Sequence, residues 1–237
     1  MGADDPGDDI SGRRRGRTKS DALLREGAGG DAALQERSLA TREKLLDAAI
    51  AGFAREGYDG YSSRMIEQDS GVHRALIAYH FGSKLGLWKA CLWSMVTDHR
   101  ARLAERFNAA QDDTSRLKIW FEEFIRNASR HPEFQTMAVD AVGRDDGLFQ
   151  WVLDTIGRRA HDLALDLIRS AQKAGTFVQG DPGILLNSFI GAAVRIYIMA
   201  PETENNLGRS PFDPEFVEEH VRTCIALFFR DPPAPTG

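Results

Sequence analysis

Apolar residues recur along this chain at intervals of three and four, and no stretch shows a convincing two-residue alternation. That period marks helix faces rather than strand faces. The first expected helix opens near Leu39, with Thr41 as its cap and Glu43 in the opening turn, where the helix dipole favours a carboxylate. Leu46, Ala49, Ile50 and Phe53 make its apolar stripe, and Gly57 is the expected stop. After a turn over 58–61, Ser62 or Ser63 caps a short helix carrying Ile66, and Gly71 makes a tight turn. A third helix then runs to Phe81. Its inner face takes Val72, Leu76, Ile77 and Phe81, and its outer face shows His73, Arg74, Ala78 and Tyr79.

The pattern continues as a long helix over 85–110, with Leu92, Met95, Val96, His99, Leu103 and Phe107 facing one way. Asp112, Asp113 and Thr114 break it and cap a helix over 115–130 bearing Leu117, Trp120, Phe121, Phe124 and Ile125. Pro132 ends that helix, and a short one over 133–142 carries Phe134, Met137, Ala138 and Ala141. Asp145, Asp146 and Gly147 open a helix to Ala174, which Gly175 terminates. Asp181-Pro182 starts a helix to about Ala200 that is apolar nearly all round, a pattern that predicts burial on both sides. A polar loop over 201–214 leads to the last helix, whose stripe is Val217, Val221, Cys224, Ile225 and Phe228. The expected fold is all-α: an N-terminal three-helix helix-turn-helix domain and a C-terminal helical bundle, about nine helices in total.

Four marks stand in order near the N-terminal third: T-R-x-x-L-L-x-A-A at Thr41–Ala49, F-A-x-x-G-Y at Phe53–Tyr58, I-x-x-x-x-G-V at Ile66–Val72 and Y-H-F-G-S-K at Tyr79–Lys84. Together they resemble the N-terminal DNA-binding domain of the tetracycline-repressor (TetR) family of bacterial transcription regulators. The rest of the chain resembles that family only in length and helical character. Three positions depart from the family pattern. Glu67 replaces a small residue where the two motif helices cross, His73 stands where a small N-cap such as Ser is usual, and Ala78 replaces a common aromatic.

Charge changes this picture little. The net charge is −5, so a case for nucleic-acid binding must rest on local placement of charge. Cys91 and Cys224 lie far apart within apolar helices and read as core thiols of a reducing cytosol. No apolar run is long enough to span a bilayer and the N-terminus lacks a signal-peptide pattern, which predicts a cytoplasmic protein without a membrane partner. Residues 1–38, Asp-rich then Arg-rich then Gly-rich, are expected to be a disordered tail, as are 231–237. Arg15-Gly16-Arg17 resembles the core of an AT-hook without its following Pro, so the tail is either a solvated segment or a phosphate-contacting arm. The DNA-binding domain is assigned to 39–99 and the effector-binding, dimerising body to 100–230.

The candidate chemistry is recognition. Thr41, Ser62, Ser63, Arg64 and Lys84 are expected to position the head on phosphates of double-stranded DNA. Arg74 is the candidate for a bidentate contact to guanine. His73, Ala75, Leu76, Ala78 and Tyr79 complete the exposed face, with Tyr79 and His80 towards phosphate. One head covers few base pairs, so two are needed, spaced one helical turn apart. The expected dimer surface holds Leu185, Ala192 and Ile196 of the penultimate helix with Val217, Val221, Ile225 and Phe228 of the last. A cavity for an unknown small-molecule effector is expected among His99, Trp120, Phe121, Phe124, Phe134, Met137, Trp151, Phe189 and Arg195, although aromatic stripes also serve as plain core.

There is no Gly-rich phosphate loop and no GxSxG elbow, and Glu219-His220 lacks the Glu-x-x-His spacing of a di-iron bundle. No enzyme activity, cofactor or metal is expected. The resemblance implies a repressor that an effector releases from a two-fold operator. The alternative is an architectural or interaction protein that binds DNA without an effector.

Overall fold

The computed structural model describes residues 17–142, 144 and 147–231. Its described residues form ten helices and no strand beyond an isolated bridge between Phe177 and Phe229. In order they are α1 (Arg17–Gly60), α2 (Ser63–Ser70), α3 (Ala75–Phe81), α4 (Lys84–Ala109), α5 (Asp113–Arg130) and α6 (Pro132–Val142). Leu148–Val152, a π-helical turn Leu153–Gly157 and Arg158–Lys173 follow without a gap and are counted together as α7. α8 (Pro182–Ile198), α9 (Ala200–Leu207) and α10 (Pro214–Phe228) complete the chain.

Most expected stops and starts are physical caps. Gly57 breaks α1 with φ of 73°, the left-handed geometry that glycine adopts without strain. Asp112 accepts from the Ser115 amide at 2.7 Å and Asp181 from the Ile184 amide at 2.9 Å, satisfying exposed helix N–H groups.

The structure corrects three readings. α1 begins at Arg17, not near Leu39, so residues 17–38 are helical where a disordered tail was expected. The Ala, Leu, Glu and Arg content of 22–47 sustains helix, and no proline interrupts it. Thr41 is accordingly not a cap, and its hydroxyl donates back to the Arg37 carbonyl at 2.8 Å. The expected loop after α8 contains α9, which raises the count by one; Gly208 closes it with φ of 68°. The expected opening of α7 at Asp145 and Asp146 lies outside the described residues, as do the tail segments 1–16 and 232–237.

Two apolar cores hold these helices. The first joins Leu45, Ala49, Phe53, Tyr61, Ile66, Val72, Ile77, Trp88, Cys91 and Met95, from α1 to α4. Met137 and Ala141 of α6 and Leu148, Val152 and Ile156 of α7 belong to it as well. The second is aromatic, built from α5, α7, α8 and α10 around Trp120, Phe121, Phe177, Phe189 and Phe228. α4 runs between them, from Leu87 and Trp88 in the first to Leu103 and Phe107 against the second.

Candidate nucleic-acid interface

The reading head is assembled from its turn outward. Ser62 caps α2, its hydroxyl oxygen accepting from the Met65 amide at 3.3 Å. Gly71 ends α2 with φ of 66° and donates its N–H to the Glu67 carbonyl at 3.0 Å. Ser70 locks the same turn: its hydroxyl donates to Ile66 O at 2.6 Å and accepts from Val72 N–H at 3.1 Å. His73, in the place of the usual small cap, does a cap's work with its ring. Its Nδ1 accepts from the Ala75 amide at 3.2 Å. That assignment leaves Nε2 as the protonated nitrogen of the neutral ring.

α3 then divides cleanly. Val72 and Ile77 are buried, and His73, Arg74, Ala75, Leu76, Ala78 and Tyr79 are all exposed, Tyr79 to 76%. Leu76 therefore belongs to the outer face alone and not to the inner one. Phe81 and His80 are half-buried, and the Arg42 guanidinium lies 5.1 Å over the Phe81 ring. Arg64 and Ser62 are exposed beside this face and Ser63 is half-buried. Thr41 has spent its hydroxyl proton on Arg37. Lys84 is half-buried, with its ammonium 4.6 Å from the Tyr58 ring centroid, and burial holds its pKa below the ordinary lysine value. The α3–α4 joint is tight: a Cβ on Gly86 would stand 1.9 Å from the Phe81 carbonyl oxygen. Ser83 caps α4 through the Gly86 amide at 3.0 Å.

Glu67 does not disturb the crossing of α2 and α3, because its carboxylate turns outward. Its oxygens lie 3.9 Å from His73 Nε2 and 3.9 Å from Arg74 Nε, in a cleft shared with Arg64 and Gln68.

A clasp ties the head to α6. Asp140 accepts from the Tyr58 amide at 2.9 Å, Arg144 pairs with Asp59, and the Arg144 guanidinium sits 4.7 Å over Tyr58.

The expected effector residues do not share one cavity. Trp120, Phe121, Phe124 and Phe189 fill each other's space, with Phe121 and Phe189 stacked at 3.6 Å and Trp120 and Phe124 at 5.2 Å between centroids. Met137 is buried in the first core, and Phe134 packs against it. Trp151 packs on Trp88 and lines an open groove of about 810 Å³ with Arg42, Lys89, Trp93 and Thr155. Arg195 is exposed and pairs with Glu202 of α9 at 3.0 Å.

His99 has chemically richer surroundings. Burial, opposed by Glu123 and aided by Arg102, Arg100 and Arg130, pushes its pKa down to about 4. Nearby Glu123 is only 4% exposed, and its Oε1 accepts from Arg106 at 2.8 Å and Arg126 at 3.3 Å. Arg126 also forks onto Glu218 at 2.7 and 2.8 Å. Burial alone would raise the Glu123 pKa; the Arg106 hydrogen bond and the charges of Arg106 and Arg126 outweigh it and hold the pKa below the usual glutamate value. Buried atoms without a hydrogen-bond partner gather along this α4–α5 seam: His99 Nδ1, Arg102 Nε and Nη2, Glu123 Oε2 and Asn127 Oδ1. Of these residues, only His99 stands out in the sequence; Arg102, Glu123 and Asn127 do not. The acid pair Glu122-Glu123, with Arg126 at helical spacing, was the available signal.

The dimer stripe of α10 is corrected. Val217, Val221 and Phe228 are buried in the chain's own aromatic core, and Ile225 packs against it. Leu185 and Ile196 are half-buried and Ala192 is exposed. α8 is not buried all round: Ile184, Ser188, Gly191, Arg195 and Ile198 form one exposed stripe, Ile184 to 68%. Among the described residues no group of three or more His, Cys, Asp or Glu is placed to hold a metal ion, and no single described helix is long and apolar enough to cross a membrane.

The profile of the family described as "Bacterial regulatory proteins, tetR family" matches residues 45–91. Over 58 residues the chain is 41% identical to the HTH-type transcriptional regulatory protein RaaS of Mycobacterium tuberculosis, covering 24% of this chain and 27% of that protein. Over 65 residues it is 35% identical to the HTH-type transcriptional repressor AcnR of Corynebacterium glutamicum, covering 27% of this chain and 32% of the relative. The matched segments thus span about a quarter to two-fifths of the length of the curated relatives.

The helical frame as a whole resembles solved structures. HlyIIR, a hemolysin II transcriptional regulator, matches with a TM-score of 0.61 at 17% identity, over 82% of this chain and 99% of that one. AibR in complex with isovaleryl coenzyme A and operator DNA matches with a TM-score of 0.64 at 17% identity, over 80% and 98%. At such identities the likeness establishes the fold alone. The four ordered motifs, the head they build and the matched segment together make residues 41–91 similar to the DNA-binding part of the tetR family of bacterial regulatory proteins.

Proposed function

We propose that this chain is a homodimeric, ligand-responsive transcription regulator that reads a two-fold operator with α3 and acts as a repressor. The observation that carries the DNA reading is the outer face of α3. Six consecutive-face residues stand exposed over a buried Val72–Ile77 anchor, with Arg74 able to fork onto guanine and Tyr79 free to reach phosphate. The head occupies 39–99 and the body 100–230 in this reading, and a cytoplasmic location follows from work on DNA. Repression is supported by the relative AcnR, which is named a repressor.

A dimer is supported by the α8 stripe. Gly191 and Ala192 allow close approach of a second helix, and Ile184 and Ile198 supply exposed apolar area. The effector reading rests on the α4–α5 seam, where Arg102 Nη2 and Asn127 Oδ1 lie buried without a hydrogen-bond partner and Arg102 Nε meets Glu123 Oε2 only at ion-pair distance, 3.6 Å. A polar group entering there would act on α4, whose first turns abut the recognition helix. It shifts the population of head spacings only by as much as it prefers one of them. The closed stack of Trp120, Phe121, Phe124 and Phe189 favours the second reading, DNA binding without an effector.

The deciding experiment is binding of the purified chain to the DNA flanking its own gene, at several salt concentrations, beside Arg74→Ala and Tyr79→Ala. The proposal expects a two-fold footprint weakened by both substitutions. Equal affinity for flanking and random DNA at every salt concentration would refute it. An effector screen on the bound complex then separates the two readings: release without dissociation of the dimer supports the first.

A further inference from the structure

Glu67 stands where the family pattern has a small residue, and the structure neither buries its carboxylate nor consumes it. The side chain is about one-third exposed, 34%, and lines the cleft between α2 and α3. Its two nearest cationic or ionisable neighbours, His73 Nε2 and Arg74 Nε, are both at 3.9 Å. That is ion-pair distance but beyond hydrogen-bond range. The charge of Arg74 thus faces the carboxylate while its lone pairs stay available. His73 is fixed in turn by its own bond to the Ala75 amide, so this side of the cleft is anchored to the start of the recognition helix.

We propose that Glu67 is a base-selecting residue, and that Glu67 and Arg74 together form the complement of the major-groove edge of one G·C pair. This rests on the DNA reading above. The edge of a G·C pair presents two acceptors, N7 and O6 of guanine, and beside them one donor, the N4 amine of cytosine. Arg74 supplies the two donors and Glu67 the acceptor, and the two side chains are already neighbours. The same carboxylate opposes the other pairs. Thymine O4 or guanine O6 at the cytosine position would set an acceptor against it, and adenine N7 would do so beside its amine. Its negative charge also weakens attachment to any DNA backbone, so Glu67 lowers non-specific affinity while it sharpens choice.

The test selects binding sites from a random duplex library with the full-length chain, with Glu67→Ala and with Glu67→Gln, and confirms helical content of each by circular dichroism. The wild type is expected to hold one G·C pair in each half-site with a preference of about tenfold or more over other pairs. Glu67→Ala relaxes that position while it raises affinity for random DNA. In the selected site, replacing the cytosine by 2-pyrimidinone, which lacks the N4 amine, weakens the wild type and leaves Glu67→Ala unmoved. If Glu67→Ala keeps the same pair as strictly as the wild type, or feels the missing amine equally, Glu67 only steadies Arg74 and the proposal is overturned. A wild type that selects no sequence at all overturns the DNA reading itself, a distinguishable result.

Discussion

The two cores of this protein solve different problems. The head core is closed by tight fit at backbone level. Gly52 is an example: a Cβ there would meet the Tyr61 ring at 2.0–2.5 Å, so that ring lies directly on the helix backbone. The body core is built around stacked aromatic rings and bordered by a buried ion network with atoms lacking a hydrogen-bond partner. A reading head must present one face rigidly. The response proposed for the body needs a seam whose satisfaction can change. The contrast teaches where each kind of sensitivity lies.

The largest effect is expected in the body. Phe189→Ala removes a ring stacked on Phe121 and in contact with Trp120, Phe124 and Phe228, and should cost about 4 kcal/mol by chemical denaturation. A loss below about 1 kcal/mol would mean that the stack is loose and would erase the contrast. Next comes Glu123→Gln, which leaves Arg106 and Arg126 facing an uncharged group. A loss of about 3 kcal/mol at neutral pH is expected. The folded Glu123 pKa is depressed, so its stabilisation is present above the unfolded value of about 4.3 and is lost as pH falls through the folded value. The variant's stability should accordingly be flatter with pH in that acid window.

In the head, Gly52→Ala should cost about 2 kcal/mol despite the better helix former, because the Tyr61 ring must move. A stabilised variant would show that this fit is slack. A pH-dependent effect, absent at neutral pH, sharpens the seam. His99 is held neutral, with its folded pKa lowered to about 4. Between about pH 6.5 and 4 the unfolded chain binds a proton that the native chain refuses, so stability falls with acid by up to about 1.4 kcal/mol per pH unit. His99→Gln should remove that slope and leave the limb below it, which belongs to Glu123.

Periodicity made nine of the ten helices legible, because an apolar stripe at three and four residues has few other uses. α9 escaped: APETENNL carries no stripe, and a single buried threonine, Thr203, holds it against the Ile196 carbonyl. The reading face was legible for a similar reason, since alternation of Val72 and Ile77 with polar and small residues assigns sides. The effector set was not. Aromatic residues at helical spacing look the same whether they line a cavity or fill it, and Phe121 and Phe189 come from helices far apart in the chain. The dimer stripe on α10 failed likewise, because an apolar face does not say whether its cover is the chain's own core or a second copy.

By itself, then, the sequence determined the local and the linear: helix periods, capping residues such as Ser62, Asp112 and Asp181, the turn at Gly71, and the ordered motifs of the head. These depend on interactions within a few residues of each other. Only the tertiary structure decided that α6 and α7 close the head's core, that Tyr58 is clasped by Asp140 and Arg144, that the aromatics of α5 and α8 fill rather than enclose space, and that Glu67 turns into the reading cleft. Each of those outcomes depends on which surfaces meet across long separations in the chain. Such meetings are set by the packing of whole helices and leave no signature in the spacing of any one of them.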